Sequence, residues 1–183
     1  MGDTLITVIA IALAAVLMFV FPLMTMSDRT DDVSQLAVET ATTDFVDDVR
    51  TTGKLSMDKY SKFLQNINST GNTYDVEMQL NVLDENPGKK TTEAQKTKIG
   101  ENVYYTMYTS QILDQISPPS SQINGQTKVL ALKEGDMFTT SVKNTNSTLS
   151  QQLKNFFYSV TGNDTYTIAA EHGGIVTANG SGK

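Results

Sequence analysis

Twenty residues close to the start of the chain, Leu5–Met24 (LITVIAIALAAVLMFVFPLM), carry no charge. As a helix rising about 1.5 Å per residue, such a run crosses the ~30 Å hydrocarbon core of a bilayer. Beyond Ser27 the pattern becomes amphipathic. Val38, Ala41, Phe45 and Val49 recur at helical spacing, Asp31, Asp32, Glu39, Asp47 and Asp48 take much of the remaining surface, and no Gly or Pro intervenes before Gly53. The two patterns predict one long N-terminal helix of about 45 residues, bent at Pro22, whose ring removes a backbone hydrogen bond and crowds the preceding turn. A membrane helix followed by a separate stalk helix fits the same pattern.

After Gly53 the periodicities alternate between helix and strand. Tyr60, Phe63, Leu64 and Ile67 make one face of a short helix that Thr70-Gly71-Asn72 ends. Tyr74–Leu83 sets Tyr74, Val76, Met78, Leu80 and Val82 against Asp75, Glu77, Gln79 and Asn81, the period-two signature of a half-buried strand. Residues 84–98 form a charged loop with a Pro-Gly turn. Ile99–Ile116 reads as helix, with Tyr105, Tyr108, Ile112 and Ile116 on one face, broken by Ser117-Pro118-Pro119. Lys128–Leu132 and Met137–Lys143 flank Glu134-Gly135-Asp136 as a hairpin. Leu149–Val160 reads as a third helix, and Tyr166–Ala170 and Ile175–Ala178 as strands around Gly173-Gly174. Two helix-to-strand passages, at Thr70–Tyr74 and Thr161–Tyr166, share a Gly-Asn turn followed by Tyr, one local solution used twice. The fold class is α+β: a long N-terminal helix, transmembrane then stalk, followed by an antiparallel sheet packed on helices. The expected divisions are residues 1–27 as anchor, 28–53 as amphipathic stalk and 54–183 as a head.

Composition narrows the functional classes. The 183 residues carry a net charge of −6, which disfavours a nucleic-acid partner, since few cations are available to displace phosphate counterions. The chain has no cysteine and one histidine, which removes disulfides, thiol catalysis and thiolate metal sites. A retained anchor fits better than a cleaved signal peptide. No Lys or Arg precedes the apolar run, and Thr25-Met26-Ser27-Asp28 is a poor small-residue cleavage site. Arg29 alone would favour a cytoplasmic head by charge counting, whereas the acidic, Asn/Thr-rich surface favours an extracytoplasmic one, the orientation adopted here.

Candidate chemistry is sparse. His172, in Glu171-His172-Gly173-Gly174, has no Gly-x-Ser-x-Gly elbow to serve and reads as a surface residue in a glycine turn. The Asp28–Asp32 and Asp44–Asp48 clusters lack an Asp-x-Asp-x-Asp-Gly loop and read as solvated helix faces. Asn68, Asn146, Asn163 and Asn179 each begin an N-glycosylation acceptor triplet, which a chain so rich in Asn, Ser and Thr produces by chance. No catalytic residue, metal site or cofactor is expected.

An apolar helix beginning almost at residue one, carrying Pro22 and running into an amphipathic helix before an α+β head, resembles the type IV pilin superfamily. Gly2-Asp3-Thr4-Leu5-Ile6 is similar to the Gly–polar–apolar start of prepilins. Unlike typical pilins, the chain has no Glu within Leu5–Met24. Phe45–Leu55, Tyr60–Asn68, Gly71–Glu77, Gly135–Phe138 and Ser141–Thr145 resemble the heads of the TadE-like pseudopilins of tight-adherence loci. The resemblance implies a non-enzymatic subunit of a pilus or secretion apparatus at the cell surface. It also implies processing of that subunit after Gly2, with Asp3 as the new first residue. Its partners would be membrane lipid and other pilin-like or secretion-apparatus subunits, in an oligomer. Independently, Ala10 and Ala14 allow close helix approach. The expected assembly interface is Ala10, Ala14, Pro22, Val38, Ala41, Phe45 and Val49. The rival reading is a membrane-tethered extracytoplasmic binding or sensor domain, which requires a preformed pocket and burial of the Val38–Val49 stripe within the same chain. An enzyme built around Glu171 and His172 is the third.

Overall fold

The computed structural model describes residues 2–84, 103–117, 128–148, 152 and 167–181. The charge-free run and the amphipathic run form one continuous helix, α1 (Gly2–Thr52), with Pro22 inside it. At ~1.5 Å per residue it is about 75 Å long, more than twice the thickness of a bilayer core. Hydroxyls inside it are bonded locally: Thr7, Thr25 and Thr30 donate to the carbonyls four residues back, at 2.7 to 3.0 Å. Gly53, in the left-handed region at φ 63°, ends the helix, its N–H donating to Val49 O.

Next come β1 (Lys54–Ser56) and α2 (Met57–Asn68), the latter capped by Ser56, whose hydroxyl accepts from Lys59 N. The expected face of α2 is buried at Tyr60, Phe63 and Ile67, and Gly71 (φ 82°) follows its end. β2 (Tyr74–Asp84) alternates as its sequence demands, with Val76, Met78 and Leu80 buried. It occupies an inner position in a sheet of order β3-β2-β5-β6 in which every adjacent pair is antiparallel. The other strands are β3 (Val103–Tyr108), β5 (Met137–Asn144) and β6 (Ala169–Ile175). Val76, Val142 and Ala170 stand in one inner row, and Leu80, Phe138 and Gly174 in another. The second half of α1 covers this inner face, and α2 packs beside it. Phe45 is stacked on Phe63 (ring centroids 4.5 Å apart) and meets Phe138 edge-on at 5.9 Å.

Three expectations need correction. Ile99–Ile116 is not one helix: β3 occupies Val103–Tyr108 and only α3 (Thr109–Ile116) is helical. Aromatic and β-branched residues suit the strand, and Thr109 ties the junction to β2, its hydroxyl accepting from Met78 N at 2.7 Å. Residues 128–143 do turn at Gly135 (φ 95°), where Asp136 accepts from Lys133 N and Leu83 N at 2.8 and 2.9 Å. No hairpin results, because β4 (Val129–Ala131) pairs with β1 in a separate two-stranded sheet. Gly173-Gly174 makes no turn between strands, for β6 runs straight through both, neither having positive φ. A side chain at Gly173 would overlap Thr139, and one at Gly174 would overlap the Arg50 guanidinium. These glycines permit close approach rather than a bend. Leu149–Val160 and the Gly-Asn turn at Thr161–Tyr166 lie outside the described residues, apart from Gln152.

With Phe45 seated among three aromatic rings, Phe45→Ala is expected to lower stability by ~3–5 kcal/mol, whereas Leu36→Ala, on the exposed side of α1, should change it by less than ~0.5 kcal/mol. Denaturant unfolding of the full chain in detergent measures both. A small effect at Phe45 would mean that the stalk does not form the core of the head.

Candidate assembly surface

The first half of α1 is uncovered. Its membrane-length window contains no buried residue, and Ala10, Ala14 and Pro22 are all exposed. Gly2 and Asp3 sit in its first turn, where Asp3 O accepts the Thr7 hydroxyl. A helix this apolar and bare is long enough to cross a membrane once.

The second half of α1 faces the other way. Val38 and Val49 are 0% exposed, Phe45 is buried, and Ala41 packs half-buried against the same cluster. The stripe expected to meet partner helices is therefore the hydrophobic core of its own head, because the inner face of the sheet has the first claim on it. What remains outward is a face that the sequence analysis passed over: Val33 at 68% exposure and Leu36 at 65%. At ~100° per residue Leu36 lies on the far side of the helix from Val38. Two apolar residues among Asp32, Glu39 and Thr40 make a weak periodic signal, which the stronger core stripe masks.

Polar bonds join α1 to the outer edge of β6. The Gln35 side-chain amide pairs with the Ala169 backbone as a neighbouring strand would, donating to the carbonyl at 2.7 Å and accepting from the N–H at 3.0 Å. At the other end Arg50 Nε donates to Ile175 O at 3.0 Å, and Arg50 O accepts from Thr177 N at 3.0 Å. Arg50 is paired with Asp47 at 2.7 Å, and His172 Nε2 lies 3.4 Å from the same carboxylate. His172 thus sits in mid-strand against the helix, not in a turn. An edge strand is a template for adding another strand, and α1 occupies both ends of this one.

The opposite face of the sheet is polar. Glu77, Gln79, Ser141, Thr139, Glu171 and Tyr108 line an open groove of about 600 Å³ across it. Burial, and then the Asp75 carboxylate, push the Tyr60 phenol above its ordinary 10.0. Among the described residues no three His, Asp or Glu side chains converge as metal ligands would. Asn146 uses both ends of its amide, accepting from Thr73 N at 2.7 Å and donating to Asn72 Oδ1 at 3.2 Å.

Gln35→Ala is expected to cost ~1 kcal/mol and to speed amide exchange at Ala169. Exchange at wild-type rate would show that the sheet edge holds without the helix amide.

A scan against models of known protein families finds no match, and searches of curated proteins and of solved structures return none either. The long apolar helix packed on an antiparallel sheet is pilin-like in architecture, and that likeness rests on the structure alone.

Proposed function

We propose that this chain is a non-enzymatic, pilin-like or pseudopilin subunit of a surface pilus or secretion apparatus of the type IV or tight-adherence kind. It is held in the membrane by Leu5–Met24 with its head outside the cytoplasm. One observation carries the reading: a single helix is bare and apolar over its first half and built into the head over its second. A simple tether needs no such continuity, since a flexible linker would serve. A subunit that transmits position from packed membrane helices to an exposed head does need it. Neighbouring subunits would then meet at Ala10 and Ala14 in the apolar segment, the stripe at Val38–Val49 being already used within the head.

The tethered binding or sensor domain is kept as a second reading, because burial of the stripe within its own chain and a groove on the outer sheet face are what it requires. Intact mass of the native protein, in material sheared from cells and in the residual membranes, separates the two. Recovery in sheared, high-molecular-weight material is the expected result, and loss of Met1 and Gly2 there would add pilin-type processing. Ala10→Leu with Ala14→Leu should reduce that recovery several-fold without lowering the stability of the head. A chain found wholly in membranes, at full length and as a monomer, would favour the tethered binding domain.

A further inference from the structure

Two loops of the head reach down to the end of the apolar segment. Leu23 and Met26 of α1 line one groove together with Thr70, Asn72, Asn146 and Ser147, and Arg29 and Val33 line a neighbouring one with Ser69 and Thr70. The loops, Ser69–Thr73 and Asn144–Thr148, contain only Ser, Thr, Asn and Gly, in a chain of net charge −6. They are fastened to each other. Thr145 N donates to Thr73 O at 2.9 Å, Thr73 N to Asn146 Oδ1 at 2.7 Å, and Asn146 N to Asn144 Oδ1 at 3.0 Å. They are also fastened to the helix, where Asp31, buried, accepts the Thr148 hydroxyl at 2.9 Å. The result is a cross-bonded, uncharged plate of hydroxyls and amides set beside α1 at the level where its apolar run stops.

We infer that this plate is a membrane-contact surface that seats the head directly in the phospholipid headgroup layer. The inference rests on the anchor reading: once Leu5–Met24 fills the hydrocarbon core, Leu23 and Met26 lie at its boundary. Residues sharing a groove with them then fall in the ~5–7 Å headgroup layer outside it. The chemistry of the plate matches that layer. Hydroxyl and amide N–H groups donate to phosphate and ester oxygens, and Arg29, exposed beside Ser69, supplies a cation at phosphate depth. Among the described residues the acid lining these grooves is Asp31 of α1, bonded to Thr148, while Asp28 and Asp32 occupy the adjoining helix turns. Neither loop brings a carboxylate that an anionic leaflet would repel. The seat fixes the depth and tilt of the head without a flexible spacer.

The absence of cysteine allows a direct test. Single substitutions Ser69→Cys, Ser147→Cys, Gln79→Cys and Leu17→Cys, all at exposed positions, carry a nitroxide on the full chain in phosphatidylcholine–phosphatidylglycerol vesicles. Accessibility to oxygen against a nickel chelate reads depth. The Leu17 label is expected in the hydrocarbon, the Ser69 and Ser147 labels in the headgroup layer with most of their nickel accessibility lost, and the Gln79 label in water. A Leu17 label in hydrocarbon with Ser69 and Ser147 as nickel-accessible as Gln79 would overturn the seat and leave the anchor standing. A Leu17 label open to nickel would remove the anchor and the seat together.

Discussion

The inner face of a four-stranded antiparallel sheet must be covered, and in this chain α1 is the main element that covers it. Val76, Met78, Leu80, Phe138 and Val142 point inward, and the second half of α1 brings Val38, Phe45, Val46 and Val49 onto them. Burial of this kind is the dominant favourable term in folding, at ~25 cal/mol per Å² of apolar area. Everything else follows from the same helix also carrying the apolar run. The first half of α1 cannot be a module hung on a finished head, because its second half is a wall of that head. A rotation or tilt imposed on the apolar half of α1 is imposed on the sheet.

The contact between α1 and β6 is close because side chains have been removed from it. Gly174 makes room for the Arg50 guanidinium, which then reaches Ile175 O. Gly53 and Gly180 meet in the same way at the end of the helix, where a Cβ on either would overlap the backbone of the other segment. There Leu132 N donates to Gly53 O and Gly180 N to Leu132 O, both at 2.8 Å. Carbonyls at a helix C-terminus lack intrahelical donors. Thr177 N supplies one to Arg50 O, so the segment after β6 works as a tertiary cap on α1.

Elements whose partners are local were the legible ones. β2 alternates over its whole length, and α2 has a capping Ser56 before it and Gly71 after it, so both follow from residues within a dozen positions. β3 did not, because Tyr105, Tyr108, Ile112 and Ile116 also satisfy a helical period, and only pairing with β2 decides between the two. β4 escaped the hairpin reading because its partner, β1, lies more than seventy residues away in sequence. The glycines of β6 looked like turn residues, since a sequence does not distinguish a glycine needed for positive φ from one needed for close approach. At the assembly surface the amphipathic pattern identified the apolar face of the stalk correctly and its partner wrongly. Periodicity says that a face is buried, not what buries it.

That last distinction constrains how subunits could associate. Between Asp28 and Thr52 α1 holds seven acids, Asp28, Asp31, Asp32, Glu39, Asp44, Asp47 and Asp48, against Arg29 and Arg50. Asp31 is bonded to Thr148, Asp47 to Arg50 and Asp48 to Lys59, the ion pairs being 2.7 and 2.8 Å long. Asp32, Glu39 and Asp44 stay exposed around Val33 and Leu36. Two copies side by side at equal height would set these acids against one another, within the ~8 Å over which charges still interact at physiological salt. No such cost exists between copies of Leu5–Met24, where there is no charge and alanines permit close packing. Copies that pack along the apolar segment therefore gain by an axial offset that separates the acidic stalks, and a neighbour with a basic stalk gains without one. In the proposed assembly the uncharged half of α1 would supply the attraction and the acidic half the selectivity.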